Sequence, residues 1–405
     1  MPRRIAYDVL CQVLGKKRPM DDAFNSHPHL DKLTPKAKAF SRALVTTTLR
    51  HKGFLDHLID GCLEKRPKGN ARDVLNIMRL GAAQLYFMHV PPHAVLSEAQ
   101  LLTGRVKLVQ YKKLVNAVLR RMEREKTDYD EAVIARKNIP DWLFQRWESA
   151  FGADTALQIA KAHLKEAPLD LTLKYADEAD IWAKRLKADI IAPATLRLPV
   201  GGRIEELDGY KNGSWWVQDY AAAHPVSMLG DVKGKKVLDL CAAPGGKTLQ
   251  LTALGADVTA VDKSANRLKR LEENLERTHL KAEVVTADLM DWDPEAPFDA
   301  VLLDAPCTAT GTLRRHPDGL WTKKPDDIRA LADIQGIIWH RATNWVKPGG
   351  IIVYCTCSLQ PEEGEDMLTA FLKGHKNFEQ VGDIYRNLPG KEGDGFFAAA
   401  VKRLS

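Results

Sequence analysis

Apolar residues recur every three or four positions through the first third of the chain. Ile5, Val9 and Val13 fall on one helical face, as do Leu55, Ile59 and Leu63. Thr34 followed by Pro35 has the form of an N-cap and a first-turn proline. The pattern continues from Ala71 to Met88 and stops before Pro91 and Pro92. Leu114, Val118 and Met122 place a further apolar stripe on a helix that starts near Tyr111. No alternating strand pattern interrupts residues 1–130, which read as an α-helical domain. Residues 140–219 are mixed. Trp142–Leu164 looks helical, Leu169–Lys174 alternates like a strand, Asp177–Leu186 is helical again, and Trp215–Val217 reads as a short strand. They form a small α+β module or an extension of the C-terminal domain, and the pattern leaves both open.

From Lys235 the order becomes strand, loop, helix, repeated. Strands are predicted at Lys236–Leu240, Asp257–Val261, Ala282–Val285, Ala300–Leu303 and Gly350–Cys355. Helices are predicted from Lys247, over Ala265–Arg277 and over Asp326–Val346. Residues 220–405 therefore read as a mostly parallel sheet with helices on both faces. Phe396–Val401 adds a late strand, where an antiparallel edge is permitted.

The length of 405 residues exceeds what one core organises and fits this division. The net charge of +6 permits a nucleic-acid partner without requiring one. Basic residues crowd one stretch: Arg105, Lys107, Lys112, Lys113, Arg120, Arg121, Arg124 and Lys126 stand against Glu123 and Glu125. A solvated helix face and a phosphate-contacting surface both fit it. No apolar run approaches the roughly 18 residues of a membrane span. Asp8 interrupts any signal-peptide core, so a cytoplasmic protein is expected. Cys11, Cys62, Cys241, Cys307, Cys355 and Cys357 are scattered, which points to reduced thiols rather than a disulfide framework.

Four runs carry candidate chemistry. Asp239–Thr248, DLCAAPGGKT, takes a strand through a glycine turn into a helix, where backbone approaches a ligand closely and free N–H groups are offered. It is not a phosphate loop, because Cys241 stands where that pattern needs glycine. Asp262 closes the second strand and is placed for ribose hydroxyls; Asp288, after the third, is placed for an adenine amino group. Asp304–Gly311 follows the fourth strand and Tyr354–Ser358 the fifth, so each puts a cysteine at the carboxyl edge of the sheet. A lone cysteine is usually a small buried hydrophobe. No His or fourth Cys completes a zinc set with these thiols, and no metal is expected.

The runs DLCAAPGGKT, DAPCTATGTLRRHPDG and YCTCSLQPEE resemble the RNA cytosine-5 methyltransferases of the RsmB/Sun (NOP/NSUN) type. The likeness extends from about Trp216 to the C-terminus, with Val217–Asp219 and Gly395–Phe397 included. The helical segment beginning at Arg4 resembles, more loosely, the NusB-like RNA-binding domain of bacterial members. The resemblance implies a NusB-like domain over 1–130, a small α+β module over 140–219 and a Rossmann-like class I methyltransferase domain over 220–405. It implies S-adenosyl-L-methionine as cofactor and RNA as partner, 16S rRNA above all; a monomer is expected, though nothing in the residues fixes it. The implied cofactor contacts are Cys241, Ala242, Ala243, Pro244, Gly245, Gly246, Lys247, Asp262, Arg267, Asp288 and Asp304. Lys247 and the turn before it would hold the methionine portion and ribose. Cys355 departs from the pattern, which more often has Ala or Ser there.

Cytosine carbon 5 is a poor nucleophile. A thiolate added at carbon 6 makes the ring enamine-like, so carbon 5 can attack a methyl sulfonium. By resemblance Cys357 is that nucleophile, Cys307 assists product release and Asp304 polarises the N3/N4 edge of the base. The base must leave its stack to reach such a site. Arg314, Arg315 and His316 would grip RNA phosphates from a loop. Three alternatives stand beside this reading: a tRNA substrate, a DNA-methyltransferase-like mechanism with Cys307 as nucleophile, and a non-catalytic assembly factor. The Thr-Cys-Ser cysteine argues against the second, and the presence of both cysteines and Asp304 against the third.

Overall fold

The computed structural model describes residues 1–199 and 203–404. The chain forms two compact units, Met1–Lys165 with Leu313–Lys323, and Glu166–Thr312 with Lys324–Ser405.

The first unit is helical. The Thr34 hydroxyl accepts a bond from Ala37 N at 3.3 Å and Pro35 opens the helix Pro35–Arg50, as the sequence predicts. Ile5, Val9, Val13, Leu55, Ile59, Val118 and Met122 share one apolar core. The unit runs beyond the helical pattern of the first 130 residues, because Glu131–Asn138 and two later helices join it. Asn138 Oδ1 accepts from Phe54 N at 2.9 Å, which fixes that junction. The expected single helix Trp142–Leu164 is two, Asp141–Phe151 and Ala153–Leu164. They break at Gly152, whose φ of +83° suits glycine alone.

A segment from far downstream, Leu313–Lys323, completes this unit. Trp321 Nε1 donates to Leu49 O at 2.7 Å, Arg50 Nη2 to Arg314 O at 2.8 Å, and Met20 N to Asp318 Oδ2 at 3.0 Å. Local periodicity carries no signal for such a return.

The second unit has two sheets. In the smaller, β1 (Leu169–Leu173), β2 (Asp189–Ala192), β3 (Thr195–Leu198) and β4 (Trp215–Val217) lie in the order β2-β3-β1-β4, with antiparallel neighbours. In the larger, β5 (Lys236–Leu240), β6 (Asp257–Asp262), β7 (Glu283–Thr286), β8 (Phe298–Asp304), β9 (Val346–Thr356), β10 (Phe378–Asn387) and β11 (Phe396–Arg403) lie in the order β10-β11-β9-β8-β5-β6-β7. Strands β5 to β9 pair in parallel, and β11 and β10 are antiparallel. The strands β5 to β9 and β11 are those predicted. The edge strand β10 was not, because most of its residues face solvent and no alternation marks it. Apolar clusters cover both faces of the large sheet. Its carboxyl edge therefore presents the loops after β5, β6, β7, β8 and β9 side by side. Among the described residues, no helix is long and apolar enough to cross a membrane.

Candidate active site

After β5 the chain turns sharply. Cys241 has φ +58°, the Ala243–Pro244 peptide is cis, and Gly245 has φ +107°. A Cβ on Gly245 would lie 2.8 Å from Leu271 Cγ in a strained backbone, so the turn requires glycine. The helix Gly246–Ala253 then starts with free N–H groups at its N-terminus.

Asp262, at the end of β6, braces this turn. Its Oδ2 accepts from Ala243 N at 3.2 Å and its Oδ1 from Ser264 N at 2.9 Å. Arg267 Nη1 lies 3.4 Å from the same carboxylate, and Arg267 Nη2 also bonds the Ala243 carbonyl. Asp288, after β7, is exposed, and its side chain accepts from Met290 N at 3.0 Å. Both carboxylates thus cap backbone as well as standing at the edge where a nucleoside is expected.

The buried Lys247 ammonium donates to Asp304 Oδ2 at 2.8 Å. Burial alone would lower its pKa; Asp304 and its neighbours outweigh that and hold it above the ordinary lysine value. The resemblance placed Lys247 at the methionine end of a cofactor. Here its strongest partner is the other site residue, Asp304, whose side chain keeps about a third of its surface open (34%). Behind them Asp239 is fully buried and accepts from Thr248 Oγ1 at 2.5 Å. Burial pushes its carboxyl up to about 7.

Strands β8 and β9 bring the thiols together. Asp304 pairs with Cys355 in register, and Ala305 N donates to Cys355 O at 2.9 Å. Cys355 is buried, its Sγ 3.7 Å from Asp304 Oδ1, among the residues of the sheet core. Two residues on, Cys357 Sγ stands 3.6 Å from Cys307 Sγ. The hydrogen bond to Cys357, with burial, holds the Cys307 thiol well above its ordinary pKa.

Glu363 was not singled out from the sequence, although it lies in the quoted run YCTCSLQPEE. It is buried, and its carboxylate accepts from Thr308 N at 2.9 Å, Ser358 Oγ at 2.5 Å and Gln335 Nε2 at 3.1 Å; it also bonds the Thr308 hydroxyl. Gln335 bonds Pro306 O at 2.8 Å in turn. One carboxylate therefore ties the residue after Cys307 to the residue after Cys357. Gly311 N donates to Cys357 O at 2.9 Å, and a Cβ on Gly311 would meet Gly395 O, just before β11, at 2.1 Å, so the chain there has no room for a side chain.

Arg314, Arg315 and His316, expected to grip RNA phosphates from a loop, are not equally placed for it. Arg314 is buried in the helical unit (4% exposed), where apolar Leu313 and Leu320 anchor the segment. His316 is exposed, 3.9 Å from Asp21, and Arg315 is half-buried. The basic stretch 105–126 is partly neutralised: Arg121 pairs with Glu125 at 3.0 Å, and Lys126 donates to Leu85 O at 2.9 Å.

The profile of the 16S rRNA methyltransferase RsmB/F family matches residues 226–402, and that of the NusB family residues 1–124. The ribosomal RNA small subunit methyltransferase B of Cronobacter sakazakii is 34% identical over 98% of this chain and 98% of its own length. That of Salmonella arizonae is 36% identical over 98% of each. The chain belongs to the RsmB/F family. The solved structure of PH0851 covers 100% of this chain with a TM-score of 0.78 at 22% identity, a likeness of fold. The motif reading, S-adenosylmethionine-dependent methylation of cytosine carbon 5 in RNA, stands with that membership, and the protein is an RNA methyltransferase of this family.

Proposed function

We propose that the protein methylates carbon 5 of a cytosine in 16S rRNA, with Cys357 as nucleophile, Cys307 as the group that releases the product, and Asp304 at the N3/N4 edge of the base. The observation that carries this reading is the pair of thiols 3.6 Å apart, on loops locked together by Glu363, beside a carboxylate paired with a buried lysine.

The cofactor fit rests on the donor set. The glycine turn leaves a cradle, the helix N-terminus favours a carboxylate, and the Asp262 carboxylate at the end of β6 suits ribose hydroxyls. Asp288 suits an adenine amino group, and Arg267 and the 241–246 backbone complete the wall. S-adenosylmethionine, when bound, supplies the methyl group. The Cys357 thiolate forms a bond to carbon 6, and the displaced electron pair makes carbon 5 nucleophilic. After transfer a base removes the carbon 5 proton, the double bond re-forms and the bond from sulfur to carbon 6 breaks. Cys307 suits that late role. Its acidity is suppressed by the hydrogen bond to Cys357 and by burial, and the contribution of Cys357 is lost once that sulfur is bonded to carbon. Cys355 is core packing next to Asp304 and takes no part.

Small-subunit rRNA is favoured over tRNA because the relatives that match the chain almost end to end are named for it. Methyl incorporation into deproteinised small-subunit rRNA but not tRNA tests the substrate, and a preference for tRNA would contradict it. Of the three residues proposed to grip RNA, Arg315 and His316 keep that assignment. The burial of Arg314 makes it a structural residue.

A further inference from the structure

The helical unit holds a cavity of about 680 Å³ walled by Lys17, Lys52, Arg66, Lys68, Arg72 and Arg79, with only Asp56 and Asp73 opposing them among its described residues. That size falls in the roughly 300–1,000 Å³ range of ligand pockets. Three of the cations converge on one carboxylate: Asp56 lies 3.0 Å from Lys52, 3.2 Å from Arg66 and 2.6 Å from Arg79. Arg66 also pairs with Asp60, outside the cavity wall, and positive charge still prevails around Asp56. The Trp321 ring, 4.0 Å from Lys52 Nζ, closes one side and keeps water from the ammonium. Burial accordingly brings Lys52 down to about 8 in spite of Asp56 beside it. An anion entering the cavity would relieve this excess. Arginine forks and lysines are the groups that hold phosphate oxygens.

We propose that this cavity binds backbone phosphates of the substrate RNA, an inference that rests on the RNA methyltransferase reading above. Lys68 and Arg72 are exposed at its rim and make the first contacts. Lys52, Arg66 and Arg79 are held in place by Asp56 and supply the deep charge. The phosphate site is thus built by the Lys52–Arg79 region, and no residue of the basic stretch 105–126 is among its described lining.

The test uses the full chain. The double variant Lys68→Glu/Arg72→Glu is compared with a charge-matched control, Lys36→Glu/Lys38→Glu, whose residues are exposed on another helix of the same unit. Binding to deproteinised small-subunit rRNA is measured against salt, with helical circular dichroism and the melting temperature as the check on folding. The cavity variant should bind RNA at least tenfold more weakly, and the slope of log K against log salt should flatten by about 1.5, the share of two phosphates. The control should change both much less. Equal changes in the two variants, or none in either, would overturn the proposal. If inorganic phosphate binds the wild type and not the cavity variant while RNA affinity is the same in both, the cavity takes free phosphate and the proposal also fails. If the wild type binds no rRNA, the functional reading itself fails. If it binds and methylates rRNA while the cavity variant matches it, only the cavity assignment is lost.

Discussion

Two carboxylates, one in each unit, one fully buried and one half-buried, are driven in opposite directions. Asp239 in the sheet unit lies behind a matched pair, Lys247 and Asp304, and burial pushes it up to about 7. Asp56 in the helical unit is shared by Lys52, Arg66 and Arg79. Burial would raise it too, but Arg79 and Lys52 prevail and bring it down to about 2. The sheet unit balances its buried charge around a reacting centre, whereas the helical unit concentrates positive charge around a cavity. Charge is arranged for chemistry in the first and for holding an anion in the second.

Removing the cation of the matched pair should have the largest effect. Lys247→Met should abolish methyl transfer and cost about 3 kcal/mol of stability, the lower end for a broken buried pair because Asp304 is partly open to water. Retained activity in a methyl-incorporation assay would show that the pair is only structural. In the helical unit, Asp56→Asn should cost about 3–5 kcal/mol by denaturant unfolding, since three cations lose their common anion. It should leave S-adenosylmethionine affinity unchanged. A loss of cofactor affinity there would break the division of labour. Asp262→Ala should weaken S-adenosylmethionine binding about tenfold, for a lost charged hydrogen bond of roughly 1.5–3 kcal/mol. Its bonds to Ala243 and Ser264 mean that the melting temperature should fall as well. Titration calorimetry giving the wild-type affinity would remove it from the cofactor site.

The smallest effect is a contrast in pH. Asp239 binds its proton more tightly folded than unfolded, so its contribution to stability falls as pH rises from about 4 through 7. The isosteric Asp239→Asn should abolish that fall, read as urea midpoints at pH 5 and pH 7.5. Asp56 has the opposite sign. Its depressed pKa gives stability that is present above the unfolded value near 4 and lost as pH drops toward about 2.

The parts legible in the sequence were those fixed by short-range rules. Thr34–Pro35 caps a helix, Gly245 is demanded by its turn, and Asp262 and Asp304 fall at strand ends because the strands were recognisable. What was not legible depended on distant partners. Glu363 is an ordinary acidic residue until Thr308 and Ser358 are folded against it. Arg314 reads as a loop cation open to RNA because nothing local shows that Leu313–Lys323 packs among the helices. The Asp56 cluster leaves no mark in the sequence because its cations are spread from Lys52 to Arg79, whereas the run 105–126 is contiguous. The edge strand β10 has too few buried positions to mark a period.

The central claim, that Cys357 attacks and Cys307 releases, is tested most directly by trapping the adduct. Cys357→Ala, Cys307→Ala and Cys355→Ala are each incubated with substrate RNA and S-adenosylmethionine and run on a denaturing gel. Cys307→Ala should accumulate a protein–RNA complex that survives denaturation, Cys357→Ala should form none and be inactive, and Cys355→Ala should turn over like the wild type. An adduct that persists in Cys357→Ala and is absent from Cys307→Ala would reverse the two roles and contradict the account.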